Sequence, residues 1–292
     1  MATPVSPSVS RRRLAAELRR LRGGRTGGVV ASALGWSSAK VSRFELGQTN
    51  FPSEEVEKLL DYYAVAEPRR SQLLALAADA NERGWWEDYT DVLAPSFTQF
   101  IGLEAEATSV AEWQNETVPG LLQTEEYARH VIGAFQRIIP EPPRHVERRI
   151  QARMIRQQIL TEREPPAELS VIIDESVALR RVGGSDVMSA QLHHLAEMAQ
   201  RPNVTLRILP LQSETALRAD SFIVLGFSQQ HEASPLGDVV STESQSGHDL
   251  SIEGETDTYV YRLVFQALAD AALTPDESRD FILETALRFW GN

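Results

Sequence analysis

Residues 33–48 read ALGWSSAKVSRFELGQ, and this stretch decides the N-terminal fold. Gly35 interrupts an apolar run, Ser37 is a good helix N-cap and Gly47 a good stop, so the pattern predicts a helix from Ser37 to about Leu46. At 100° per residue, Val41 and Phe44 point inward, whereas Ala39, Ser42 and Arg43 lie on the opposite side with Ser38 and Lys40 beside them. Thr26 is placed to cap a short preceding helix that carries Val29, Val30, Ala33 and Leu34. Further upstream, Leu14, Leu18 and Leu21 mark one stripe of a first helix. Downstream, Ser53 opens a fourth helix with Glu54 and Glu55 at its positive end and Val56, Leu59, Leu60 and Tyr63 on its apolar side.

Charge is divided unevenly along the 292 residues, whose formal total is −12. Residues 1–50 hold nine Lys or Arg against Glu17 and Glu45, a local balance of +7. The remainder holds 20 basic and 39 acidic residues, a balance of −19. Screening over roughly 8–10 Å lets a basic face act locally beside a distant acidic body. An outward helix face of small residues with one Arg and one Lys suits a major groove, where Arg makes bidentate contacts to guanine. A small helical domain that binds protein is the alternative reading of the same pattern. Glu45 points back toward the core, and the first helix offers Arg22 or Arg20 as its partner.

Length and composition predict two domains with ordinary cores, since 42% of residues are hydrophobic. No apolar run approaches the roughly 20 residues of a membrane span. The basic N-terminus is followed by LAAELRRLR rather than the apolar block of a signal peptide. With no cysteine, disulfides, thiolate metal sites and a catalytic thiol are excluded. A cytoplasmic protein without membrane attachment is expected.

Past residue 66 the pattern changes. Paired Trp85 and Trp86 are read as a junction, and a long helix is expected over about 96–116. Thr124 caps a helix carrying Tyr127, Val131, Ile132 and Phe135. A further helix over about 142–162 displays Arg144, Arg148, Arg149, Arg153 and Arg156, either a second phosphate-binding face or an ion-paired one. LSVIIDE and VTLRILPL read as buried strands around a helix centred on AQLHHLAEMA, with SFIVLGF and DVVSTES as two more strands. Helices over about 257–273 and 275–290 close the chain. The expected fold is mainly α, with an α+β C-terminal domain around a small sheet. The division expected is 1–66, a 67–90 helical junction, and 91–292.

Catalytic patterns are scarce. The six histidines are scattered, and His193 and His194 are neighbours that point about 100° apart on a helix, unable to chelate one metal together. Gly183 and Gly184 after Arg180 and Arg181 form either an anion cradle or a plain turn. Asp174 and Glu175 face opposite ways along a strand. Glu175 with Arg180 and Glu243 is instead a candidate polar effector pocket or a core ion pair. The expectation is no enzyme, no metal and no cofactor.

The segment SSAKVSRFELG resembles the recognition helix of the Cro/C1, or XRE-type, helix-turn-helix regulators. The resemblance implies a lambda-repressor-like domain in which Ser38, Ala39, Lys40 and Arg43 face bases, and the helical wheel sets Ser42 on the same side. Thr26, Gly27 and Gly28 at the start of the second helix are further candidates for DNA contact, and Arg12 and Arg13 are candidates for phosphate contacts that do not depend on sequence. Where many members carry Gln at the start of the second helix, this chain has Gly27 and Gly28, whose bare N–H groups remain able to hold a phosphate. GWWEDY, FIGLEAEA, VPGLLQTEEYARHVI, ERRIQARMIRQQIL, IIDESVALRRVGG and PNVTLRILPL resemble the C-terminal domain of the actinobacterial WhiJ-like regulators. That resemblance implies a transcriptional regulator, a repressor more than an activator, with an input from a small partner protein; the acidic balance past residue 50 favours a basic face on that partner, and a small-molecule ligand is the other input. A homodimer on a double-stranded DNA operator is the usual geometry. Two alternatives stand beside it: an antitoxin-like module that sequesters a small partner, and a hydrolase fused to a DNA anchor.

Overall fold

The computed structural model describes residues 7–134, 138–215, 219–227, 237–242, 250–252 and 254–291. The chain divides after Glu87 into two compact units.

Among the described residues the first unit is helical: α1 (Pro7–Arg22), α2 (Gly27–Leu34), α3 (Ser38–Glu45), α4 (Ser53–Tyr62) and α5 (Arg69–Ala80). Leu14 and Leu18 of α1, Val41 and Phe44 of α3, and Val56, Leu59 and Leu60 of α4 form its core. Phe44 lies edge-on to Phe51, with ring centroids 5.2 Å apart. Each fully buried side chain of this size contributes about 1.5–3 kcal/mol. The 67–90 stretch, expected as a junction, holds α5, whose Leu73, Ala77 and Ala80 belong to the same core. Its apolar positions at i, i+4 and i+7 give it a buried side of its own.

The second unit begins with α6 (Pro95–Glu104), β1 (Ser109–Gln114), α7 (Glu125–Ala134), α8 (Pro143–Arg156) and α9 (Gln158–Thr161). It continues through β2 (Glu168–Asp174), α10 (Glu175–Leu179), α11 (Ser185–Met198), β3 (Val204–Leu209) and β4 (Phe222–Gly226). It ends with β5 (Val239–Thr242), β6 (Leu250–Ile252), α12 (Glu255–Ala271) and α13 (Pro275–Thr285), which runs on into a π-helical turn over Ala286–Trp290. The six strands form one mixed sheet in the order β3-β2-β1-β4-β5-β6. β1, β2 and β3 are parallel, and β4, β5 and β6 add antiparallel.

The expected helix over 96–116 is corrected. It ends at Glu104, and Ser109–Gln114 is the strand between β2 and β4. Glu112 and Trp113 point to opposite faces, yet both are buried, at 2% and 4% exposure. A strand covered on both faces loses the alternation that would announce it. The buried Glu112 disguised it further. The three-residue edge strand β6 was too short to register.

Candidate nucleic-acid interface

The local geometry of α2 and α3 follows from their caps. Thr26 Oγ1 accepts from the Val29 N–H at 3.4 Å, and Ser37 Oγ accepts from the Lys40 N–H at 3.2 Å. Between the helices Gly35 adopts φ 66°, a left-handed conformation that ends α2 without a Cβ penalty. Gly47 adopts the same φ after α3, where a Cβ would sit 3.5 Å from the Arg11 carbonyl oxygen. Val41 and Phe44, each 2% exposed, anchor α3 from beneath. Phe44 also meets Trp36 at 5.4 Å between centroids.

That anchoring leaves Ser38, Ala39, Ser42 and Arg43 together on the exposed side of α3. The Arg43 side chain makes no hydrogen bond or ion pair among the described residues, so its guanidinium is available for a ligand. Thr26 and Gly28 at the start of α2 are exposed and Gly27 is half-buried. The Val29 N–H is taken by the Thr26 cap, and the Gly27 and Gly28 N–H groups have no partner among the described residues, which suits a phosphate.

Three expected contacts sit differently from Arg43. Lys40 is not a free cation: its Nζ is bonded to Glu55 Oε1 and lies 4.3 Å from the Trp36 ring centroid. Arg13 is corrected from a phosphate contact to a buried residue, 6% exposed. The buried arc of α1 is wider than the Leu14/Leu18 stripe, taking in Val9, Ser10, Arg13 and Glu17 as well. Arg12 on the same arc is half-buried.

Glu45 meets Arg22, with Arg22 Nε donating to Glu45 Oε1 at 2.7 Å. Arg20 pairs instead with Glu17 at 3.0 Å. Glu17, buried within α1, also holds Arg69 of α5. Arg22 further donates to the Arg25 carbonyl, and the Arg25 guanidinium lies 5.9 Å from the Tyr62 and Tyr63 ring centroids. Burial pushes the Tyr63 phenol up to about 12, and the Glu45 charge adds to the shift. These arginines brace the domain from behind α3. The Lys40–Glu55 and Glu17–Arg69 pairs were missed in the sequence, although Glu55 in the first turn of α4 was the available signal.

In the second unit the arginines of α8 are mostly engaged. Arg156 forms a two-pronged pair with Glu104 at 2.7 and 2.8 Å, with the Phe97 and Phe100 rings 5.0 and 5.6 Å from its guanidinium carbon. Arg149 donates to the Val92 carbonyl at 2.7 Å and to Glu141 at 2.8 Å, and Arg153 donates to Gln123 at 2.7 Å. Arg148 holds Asp91 and the Asp88 carbonyl. Only Arg144 of this series is fully exposed.

The candidate effector pocket is not assembled by the described residues. Glu175 Oε2 accepts from the Leu211 N–H at 2.8 Å, tying down the segment after β3. Asp174 Oδ1 caps α10 by accepting from the Ser176 N–H at 2.9 Å. Arg180 is exposed and makes no ion pair with Glu175, and Glu243 lies outside the described residues. Gly183 is a packing position: a Cβ there would come within 2.4 Å of the His130 ring. His193 Nδ1 lies 2.8 Å from the Ser189 carbonyl, and burial lowers the pKa of His194. Among the described residues no three His, Asp or Glu side chains gather as a metal site. A surface hollow of about 430 Å³ lies along α8, with Tyr89, Glu125, Glu147, Ile150 and Met154 among its walls. No helix among the described residues is long and apolar enough to cross a membrane.

Comparison with known families divides the chain in the same two parts. Residues 13–73 match a family model described as a helix-turn-helix domain, spanning α2, α3 and their supports. Residues 97–284 match the model described as a domain of unknown function, DUF5753. No curated protein matches the chain. Because the second match covers more than half of its length, the chain belongs to the DUF5753 family, with a helix-turn-helix DNA-binding domain in front.

Proposed function

We propose that this chain is a sequence-specific transcriptional regulator, a repressor, that binds double-stranded operator DNA as a homodimer. The observation that carries the reading is the exposed face of α3, where Ser38, Ala39, Ser42 and Arg43 stand together over a core built by Val41 and Phe44. Small residues let the helix approach base edges closely, and the unengaged Arg43 supplies a bidentate donor for guanine. The +7 balance of residues 1–50 supplies the attraction to phosphate that precedes reading.

The second unit acts by binding rather than catalysis, as the site of a regulatory input. The acids singled out in the sequence hold backbone in place: Glu175 anchors Leu211 and Asp174 caps α10. A small partner protein with a basic face is the input this reading favours, on account of the −19 balance past residue 50. Its docking would alter operator affinity through linkage, and the effect is reciprocal.

Selection from a random duplex pool by the purified chain tests the DNA reading. A consensus containing guanine, bound with an affinity that falls steeply with salt, supports it. Enrichment of no sequence, with retention only at low salt, sinks it.

A further inference from the structure

Helix α3 carries two cations, Lys40 and Arg43, three residues apart, and the fold treats them differently. The Arg43 side chain is unengaged among the described residues, whereas the Lys40 ammonium is bonded to Glu55 in the first turn of α4. The same ammonium lies 4.3 Å from the Trp36 ring centroid, and Trp36 leans on Phe44 of the core. Carboxylate and ring fix Lys40 at the flank of the exposed face of α3. Neither partner is enclosed: the Lys40 and Glu55 side chains keep 27% and 29% exposure. An ion pair that open adds little to stability. Its charges nevertheless stand at the surface that the reading helix brings to DNA.

We propose that Glu55 sets the sequence-independent part of DNA affinity by cancelling Lys40. The inference rests on the reading of α3 as the recognition helix and adds to it a residue from another helix. A free lysine there would meet a phosphate, and a phosphate contact strengthens binding to every duplex alike. Held by Glu55, Lys40 offers no net charge, which leaves the base-reading Arg43 as the cation that α3 presents. The pair lies within one lysine side chain of α3, inside the roughly 8–10 Å over which charges act at physiological salt. A regulator that must leave random DNA to find a few sites gains from this restraint, because non-specific affinity comes almost wholly from such contacts.

Salt dependence separates this role from a purely structural one. Glu55→Gln keeps the shape of the side chain and gives up its charge. In the full-length chain it should bind the selected operator and a random duplex of equal length about fivefold to tenfold more tightly at about 0.1 M salt, with the ratio between them unchanged. The slope of log affinity against log salt should steepen by about 0.9, the value for one added phosphate contact. Lys40→Met, which bares the carboxylate, should weaken both affinities by a similar factor. The double variant, Lys40→Met with Glu55→Gln, should return affinity and slope to the parent's values although the ion pair is gone. Unchanged or weaker binding by Glu55→Gln, a gain confined to the operator, or a double variant as weak as Lys40→Met overturns the proposal. A parent chain that selects no sequence would strike the DNA reading. One that selects normally while Glu55→Gln shows no gain strikes this inference alone.

Discussion

Two arginine-bearing helices, α3 and α8, look alike in sequence and differ in what their cations do. In α3, Arg43 stands exposed without a partner among the described residues. In α8, four of five arginines are spent on Glu104, Glu141, Gln123, Asp91 or backbone carbonyls. Counting cations cannot separate the two. What separates them is where the acceptors stand: four of the α8 arginines have one within reach, whereas Glu17 and Glu45, the two acids of the first 50 residues, are engaged away from Arg43. Both of those are held by arginines behind the reading face, at Arg20 and Arg22. With Lys40 held by Glu55 as well, Arg43 is left as the cation of α3 without a side-chain partner among the described residues.

The difference is sharpest at the buried pair. Glu104→Ala should leave Arg156 charged and enclosed between Phe97 and Phe100, at a cost of about 3–5 kcal/mol in chemical denaturation of the full chain. A loss below about 1 kcal/mol would mean that α8 behaves like an exposed helix after all. Within the first unit, Glu45→Ala should cost about 1–2 kcal/mol, because Arg22 loses a 2.7 Å partner in a half-buried setting. An unchanged melt would place that pair among surface ion pairs.

The same cluster makes a pH prediction. Because the folded-state pKa of Tyr63 is raised to about 12, the folded chain retains its proton where an unfolded one has lost it. The stability so gained is fully present below about pH 10, the ordinary tyrosine pKa, and is lost as pH rises toward 12. Thermal melts should therefore fall less steeply over that window in Tyr63→Phe than in the parent chain. Parallel curves would remove Tyr63 as the cause. The smallest effect is expected at Lys40. Held by Glu55 and the Trp36 face, Lys40→Ala should reduce stability by about 1 kcal/mol or less and discriminate among duplexes nearly as well as the parent. Loss of sequence preference in that variant would show that Lys40 leaves Glu55 when DNA binds.

The first unit was legible because its signals are local. Thr26, Ser37, Gly35 and Gly47 mark the helix ends, and Val41 with Phe44 fixes the phase of α3. Glu45 could be assigned to the first helix because a buried carboxylate demands a cation. Long-range facts were harder. Nothing near Lys40 in the chain announces Glu55, and the burial of Arg13 depends on how wide an arc of α1 the fold covers. In the second unit four strands could be read from their apolar runs. β1 could not, since burial on both faces erased its alternation and Glu112 and Gln114 mimicked an exposed side. The Glu175, Arg180 and Glu243 grouping rested on strand ends alone, and Glu175 is occupied by the Leu211 N–H.

The central claim is that α3 reads DNA while the arginines of α8 hold their own unit together. The direct test is to measure, at one salt concentration, the affinity of Arg43→Ala and Arg148→Ala for the selected operator and for a random duplex of equal length. Arg43→Ala should lose about 1–3 kcal/mol on the operator and much less on the random duplex, collapsing the ratio between them. Arg148→Ala, removing a cation already bound to Asp91, should leave both affinities at the parent's values. Full operator affinity in Arg43→Ala, or an equal loss in Arg148→Ala, would contradict the account.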